Sequence, residues 1–348
     1  MSLPPSHPSG AAEASAAKEM PMRALSLLVG LILLAGPLAA AEPEVLERAE
    51  IAGDLVRERL LLRGCEPGSP VPAIAVYPKG AARLPLVLLM HWFQGSKEVM
   101  EPWAKELAPQ GFFVVAPDLY LHGERSVKGI FDRPNLPDLG EEYSVFIHQT
   151  SISHSALDFP YLLDDLAARP EVDAKRVGVG GFSMGAGLSL VLAWREPRVS
   201  VVASIVGAAD FWWDVTKIPP GADQDAKRLS YGPAVQRLVT SLDVSTRLDR
   251  IPPKALYVAS GRKDHFIDIE SMRRVSERLR KLYEATPERF RFHEEDVGHE
   301  FTESMRRGAT EWFVKFLKAP PAPAPKKEGD APKPEPKKDD APPAPPAR

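Results

Sequence analysis

The sequence predicts an α/β domain: a mostly parallel sheet of about eight strands with helices on both faces. Two observations carry this. Between residues 42 and 317, short apolar runs of buried-strand length alternate with longer amphipathic segments. Several of the runs, such as "LPLVLLM" and "FFVVA", are continuous rather than alternating, as in strands covered on both sides. No internal repeat is present, so a solenoid or propeller is not expected.

The elements follow in order. "LVRERLLLRG" and "VPAIAVYPKG" read as an opening antiparallel pair. "LPLVLLMHW" is a buried strand, "KEVMEPWAKELAPQG" an amphipathic helix and "FFVVAPDLY" a strand. "SISHSALDFPYLLDDLAARPEVD" is mainly helix; "KRVGVGGF" is a strand and "MGAGLSLVLAWRE" a helix. "VSVVASIVGA" and "PKALYVASG" are further strands. "DIESMRRVSERLRKLYEA" is a helix with a basic outer face, "RFRFHEE" a strand, and "EFTESMRRGATEWFVKFLK" the closing helix. Two segments break the rhythm, Leu121 to Gln149 and Asp210 to Arg250. Long irregular inserts of this kind usually form lids or pocket walls.

The ends differ from this middle. Residues 1–19 are small and polar. Next come a positive charge at Arg23, an apolar stretch from Leu25 to Leu34, a Gly36-Pro37 break and an A-x-A site at Ala39 to Ala41. That is the order of a secretory signal peptide. The expectation is a start at Met20 or Met22, cleavage, and export to the periplasm or outside, without stable membrane insertion afterwards. An uncleaved N-terminal anchor is the alternative, for which the apolar stretch is short. From Lys318 to Arg348 the chain is rich in Pro, Ala and Lys, without large apolar side chains, and is expected as extended coil. The organisation is therefore 1–41, 42–317 and 318–348. A formal net charge of −3 gives no sign of a nucleic-acid partner. The single cysteine, Cys65, excludes an internal disulfide.

The chemistry centres on "GVGGFSMGAG". A dinucleotide fingerprint counted from Gly178 puts Ser183 where its third glycine belongs. The pattern that fits is G-x-S-x-G, from Gly181 to Gly185, between a strand and a helix. Such a turn lifts the serine hydroxyl clear of the sheet and aims helix N-terminal N–H groups at the same spot. A serine hydroxyl needs a base, and the base an orienting acid. His265, His293 and His299 follow the serine in sequence. His293 sits inside a strand, and His265 directly follows an aspartate. His299 occupies the loop after the last strand, where a base is needed. Asp264 lies just past the turn at Gly261. Asp268 reads better as a helix cap, and Asp296 is too close to His299.

With "GFSMG", "SGRKD", "VGHEF", "VLLMHWFQGSKE" and "APDLYLHGER" in place, the chain resembles an α/β-hydrolase, in the esterase branch near the dienelactone hydrolases. The resemblance covers residues 55 to 317. It implies Ser183 as nucleophile, His299 as general base and acid, and Asp264 as orienter. It also implies oxyanion donors from the Met184 and Phe93 N–H groups, and structural roles for His91 and His122. Two departures matter. The glycine that usually follows the histidine is Trp92, which leaves the Phe93 donor open. The nucleophile is serine where dienelactone hydrolases use cysteine, which favours ordinary ester chemistry. Trp92, Phe93, Phe211, Trp212, Trp213 and Phe131 lie on loops or inserts, either lining an apolar pocket or packing beneath it.

The expected activity is hydrolysis of a small-molecule carboxylic ester through an acyl-serine, with no cofactor and no metal. Alternatives are a serine peptidase or thioesterase of the same fold, a non-catalytic binding protein on this scaffold, or an envelope-attached protein whose tail is the working part.

Overall fold

The computed structural model describes residues 43–132 and 137–318. The expected signal peptide and most of the Pro/Ala/Lys tail lie outside the described residues. Nine strands form one sheet in the order β1-β2-β3-β5-β4-β6-β7-β8-β9. These are β1 (Glu44–Ile51), β2 (Leu55–Leu62), β3 (Val71–Pro78), β4 (Leu84–Met90), β5 (Phe113–Pro117), β6 (Val172–Phe182), β7 (Val199–Ile205), β8 (Ala255–Gly261) and β9 (Phe290–Glu295). Pairings from β1 to β3, and of β3 with β5, are antiparallel; from β5 through β4 to β9 every pairing is parallel.

The period of two along each strand divides the core. In β4, Leu86, Leu88 and Met90 join a cluster with α2 (Pro137–Ala167), α3 (Met184–Arg195) and α7 (Ile269–Leu282). Val87 and Leu89 join the other, with α1 (Glu101–Leu107) and α8 (Glu303–Leu317). The sheet is thus covered on both faces. No described helix is long and apolar enough to cross a membrane.

Two findings depart from the expected layout. The additional strand β1, "EVLERAEI", is exposed along most of its length and, among the described residues, paired only with β2, so it shows no buried-strand signature. The two breaks in the rhythm are partly helical: α2 begins inside the first, and the second holds α4 (Phe211–Thr216), α5 (Ala222–Ser230) and α6 (Pro233–Leu242).

Candidate active site

Ser183 stands between β6 and α3 with φ 55° and ψ −118°, a conformation that costs a non-glycine residue free energy. The surrounding structure holds it: Ser183 N–H donates to the Ile205 carbonyl at 3.0 Å, and Gly187 N–H donates to the Ser183 carbonyl at 3.0 Å. The second glycine of the motif is required by space. A Cβ on Gly185 would sit 2.2 Å from the Met90 carbonyl oxygen, so only glycine lets α3 start against the end of β4. Met184 opens α3, so its N–H has no intrahelical acceptor.

The structure brings the three expected residues together at the carboxyl ends of parallel strands, where ligands gather in this kind of sheet. His299, in the loop between β9 and α8, has Nε2 2.8 Å from Ser183 Oγ. Its Nδ1 lies 2.8 Å from Asp264 Oδ2, just past β8. Asp264 Oδ1 accepts N–H bonds from Phe266 at 2.7 Å and Ile267 at 3.0 Å. Burial would raise the Asp264 carboxyl, but the His299 contact and the two amides outweigh it and hold its pKa below the usual carboxylate value. The loops carrying Asp264 and His299 are laced together: Arg262 N–H donates to Glu295 O at 2.8 Å, and Lys263 N–H to Val297 O at 2.9 Å. An ionised carboxylate on one imidazole nitrogen and a hydroxyl on the other suit proton transfer from the serine.

The rival residues have other contacts. Asp268 caps α7 by accepting from Glu270 N–H. His293 lies 2.8 Å from Glu295 within β9, and Asp296 pairs with Lys263 at 2.8 Å. His265 is exposed.

After β4 the chain forms the wall opposite His299. His91 is fully buried, and burial pushes its pKa down to about 3. Its Nε2 accepts from Leu119 N–H at 3.1 Å, so the proton sits on Nδ1, which donates to the Trp92 carbonyl at 2.8 Å. Gly95 N–H donates to the same oxygen at 2.9 Å. Two donors therefore pin the Trp92–Phe93 peptide. In a planar trans peptide, the Phe93 N–H points away from that carbonyl. His122 is likewise buried, with Nδ1 2.8 Å from the Tyr120 carbonyl. Lys97 ties this loop to Asp118 through its backbone N–H and its ammonium, both at 2.8 Å.

A cleft of about 340 Å³ opens over Ser183 and His299. Of the aromatics that could either line a pocket or pack beneath it, Trp92 and Phe93 line this cleft. Phe211, Trp212 and Trp213, expected as possible wall residues, do not line it: they are 1%, 3% and 6% exposed. The short α4 turns all three inward, where Trp212 Nε1 donates to Thr240 and Trp213 Nε1 to Asp268. Phe131 stands behind the wall, edge-on to Phe93 at 5.1 Å. In their place the cleft uses Phe182, Phe266, His148, Asp214 and Lys217. Phe182 was readable as the strand residue beside the serine. The others carry no spacing signal, because their nearness depends on how the inserts and the acid loop fold. Burial raises the Asp214 carboxyl above its ordinary value, against the pull of Lys217. Among the described residues, no group of three His, Cys, Asp or Glu side chains is arranged to hold a metal ion.

The sequence pattern of the dienelactone hydrolase family matches residues 71–315. The chain is 24% identical over 216 residues to the esterase YjfP of Escherichia coli, covering 60% of this chain and 81% of that protein. Among solved structures, an acetyl xylan esterase from Paenibacillus sp. shares the fold with a TM-score of 0.59 and 20% identity, over 87% of this chain and 96% of that one. Acetyl xylan esterase 1 from Thermoanaerobacterium sp. superposes with a TM-score of 0.54 and 21% identity, over 79% of this chain and 88% of that one.

Proposed function

From the premise that this chain belongs to the dienelactone hydrolase family, we propose that it is a serine carboxylesterase acting through an acyl-enzyme. The observation that carries the reading is the Ser183–His299–Asp264 chain of hydrogen bonds, 2.8 Å at each link. His299 Nε2 takes the Ser183 proton as Oγ attacks the ester carbonyl. The Asp264 carboxylate holds the imidazole in place and stabilises the imidazolium. The tetrahedral oxyanion is bound by the Met184 N–H and by the Phe93 N–H, whose peptide His91 and Gly95 fix in advance. The same proton then passes to the alcohol oxygen as the C–O bond breaks. Water, deprotonated by His299, then attacks the acyl carbon, and His299 returns that proton to Ser183 Oγ as the acid leaves. The esterase relative in Escherichia coli supports ester rather than amide or thioester substrates.

The test is hydrolysis of a 4-nitrophenyl ester by wild-type protein and by Ser183→Ala, with mass analysis of the protein after treatment with an organophosphate. The expected result is loss of turnover by at least about 10³ in the variant and a phosphoryl adduct on Ser183 in the wild type. Turnover that survives Ser183→Ala would rule the mechanism out. Wild-type protein that forms no adduct and turns over no ester would favour a binding protein.

A further inference from the structure

The catalytic cleft continues past Phe93. A second compartment of about 280 Å³ adjoins it, and the two share Phe93, His148, Asp214 and Lys217 as a common wall. Beyond that wall the compartment is bounded by Val145 and Val215, with Ser144, Gln149 and Glu141 as its polar residues; the Glu141 carboxylate is already engaged by the Tyr231 hydroxyl at 2.7 Å and by Lys227 at 3.4 Å.

Three observations describe what would fit there. Asp214 Oδ1 accepts from Lys217 Nζ at 2.9 Å, and Lys217 is the one side-chain donor to this carboxylate among the described residues. Lys217 Nζ also donates to the Phe266 carbonyl at 2.5 Å, so the pair leaves an acceptor oxygen and one ammonium proton in the shared wall while its charges cancel, and the wall is polar without favouring either sign. Gln149 is 1% exposed, and its buried Oε1 has no partner among the described residues, while its Nε2 lies 3.4 Å from His148 Nδ1. A buried amide group left unpaired costs free energy unless a ligand completes it. Burial pushes His148 down to about 4, so at neutral pH its ring offers one donor and one acceptor. A hydroxyl both donates and accepts, so it matches each of these groups and either orientation of the amide. The valines and Phe93 suit the C–H faces between such hydroxyls.

We propose that this compartment binds a polyol-like, hydroxyl-bearing part of the substrate, several bonds from the scissile carbonyl. The preferred substrates are then esters of hydroxylated compounds rather than plain alkyl esters. This rests on the serine-esterase reading.

Two matched pairs of esters test it and separate the two sides of the ester bond. Glycerol monoacetate against propyl acetate probes the alcohol side, and methyl dihydroxybutyrate against methyl butyrate the acyl side. The quantity read is the ratio of kcat/KM for the hydroxylated ester to that for its alkyl partner. In the wild type one pair should give a ratio of roughly tenfold or more. Lys217→Met, Asp214→Asn and Gln149→Met should each lower that ratio on the order of tenfold, mainly through KM. Melting curves identify which variants are folded, and Gln149→Met reports on the far compartment if a change at Asp214 disturbs the fold. A wild-type ratio near one for both pairs, or ratios that do not move in folded variants, overturns the proposal and leaves the esterase reading standing. If none of the four esters is hydrolysed while the 4-nitrophenyl ester still is, this proposal alone is overturned; if Ser183-dependent hydrolysis of the 4-nitrophenyl ester is missing as well, the esterase reading falls and this proposal with it.

Discussion

Trp92 occupies a position where the resemblance leads one to expect glycine, and its side chain and backbone do different things. The indole lines the cleft and meets Phe182 edge-on, with ring centroids 5.8 Å apart. The carbonyl is held by Gly95 N–H and by His91, contacts that do not involve the indole. Trp92→Gly should therefore leave the Phe93 peptide in place and enlarge the cleft. Turnover of an acetyl ester should stay near the wild-type value while an octanoyl ester gains relative to it. The loss of stability should fall below the roughly 3–5 kcal/mol of a fully buried tryptophan, because this one is half-buried. Kinetics on both esters beside a melting curve check this. A drop of about 10²–10³ in acetyl turnover would instead mean that the indole holds the oxyanion donor in position. The grouping of Ser183, His299 and Asp264 is legible in the sequence, since the serine motif, chain order and strand-end placement leave few candidates. The polar wall is not: His148, Asp214 and Lys217 come from two inserts whose sequences contain no metal-like or triad-like spacing.

At the scale of elements, the strand–helix alternation of the buried sheet is readable because continuous apolar runs and amphipathic helices differ in period. β1 escapes because an edge strand paired on one side needs no buried face, and its charged residues serve to discourage further pairing. The insert from Asp210 to Arg250 escapes because its helices are short and set by tertiary contacts, with polar caps that resemble loop sequence. Asp243 shows the tension inside it. It is 3% exposed and caps a helical turn by accepting from Ser245 N–H at 3.0 Å. Burial, opposed by the Ser245 bonds and reinforced by Asp210 nearby, pushes its pKa up to about 6. The unfolded value is about 3.9. Between the two the folded state keeps a proton that the unfolded state has lost, so stability falls as pH rises through this window and the full cost is reached above it. An asparagine carries no such charge. Relative to the wild type, Asp243→Asn should gain roughly 2 kcal/mol on going from about pH 4 to about pH 7.5. Denaturant titrations of both proteins at the two pH values measure it. Curves that shift in parallel would show that Asp243 does not titrate in this window.

For the whole molecule, the charged, apolar and small-residue order from Arg23 to Ala41 leads us to propose export. N-terminal sequencing of the native protein should then find Ala41 or Glu42; a membrane-bound form starting at Met20 or Met22 would reject cleavage. The other end of the chain sets two neighbouring segments in contrast. α8 lies directly on β6, the strand that ends beside Ser183. A Cβ on Gly178 of β6 would come within 2.7 Å of Leu317 and 2.9 Å of Phe313, and both side chains are buried, at 1% and 0% exposed. The glycine strand and the aromatic helix are thus one packing unit, and Phe313→Ala should cost roughly 3–5 kcal/mol, a fall in Tm of about 10 °C. Residues 319–348 contain no large apolar side chain with which to extend that unit. A chain ending at Lys318 should therefore keep both the wild-type melting temperature and the wild-type rate on a 4-nitrophenyl ester. Calorimetry on the truncated chain and on Phe313→Ala, side by side, decides the point. If truncation lowers the melting temperature as far as the loss of the Phe313 ring does, the tail docks on the hydrolase fold and its lysines and prolines have a structural partner there.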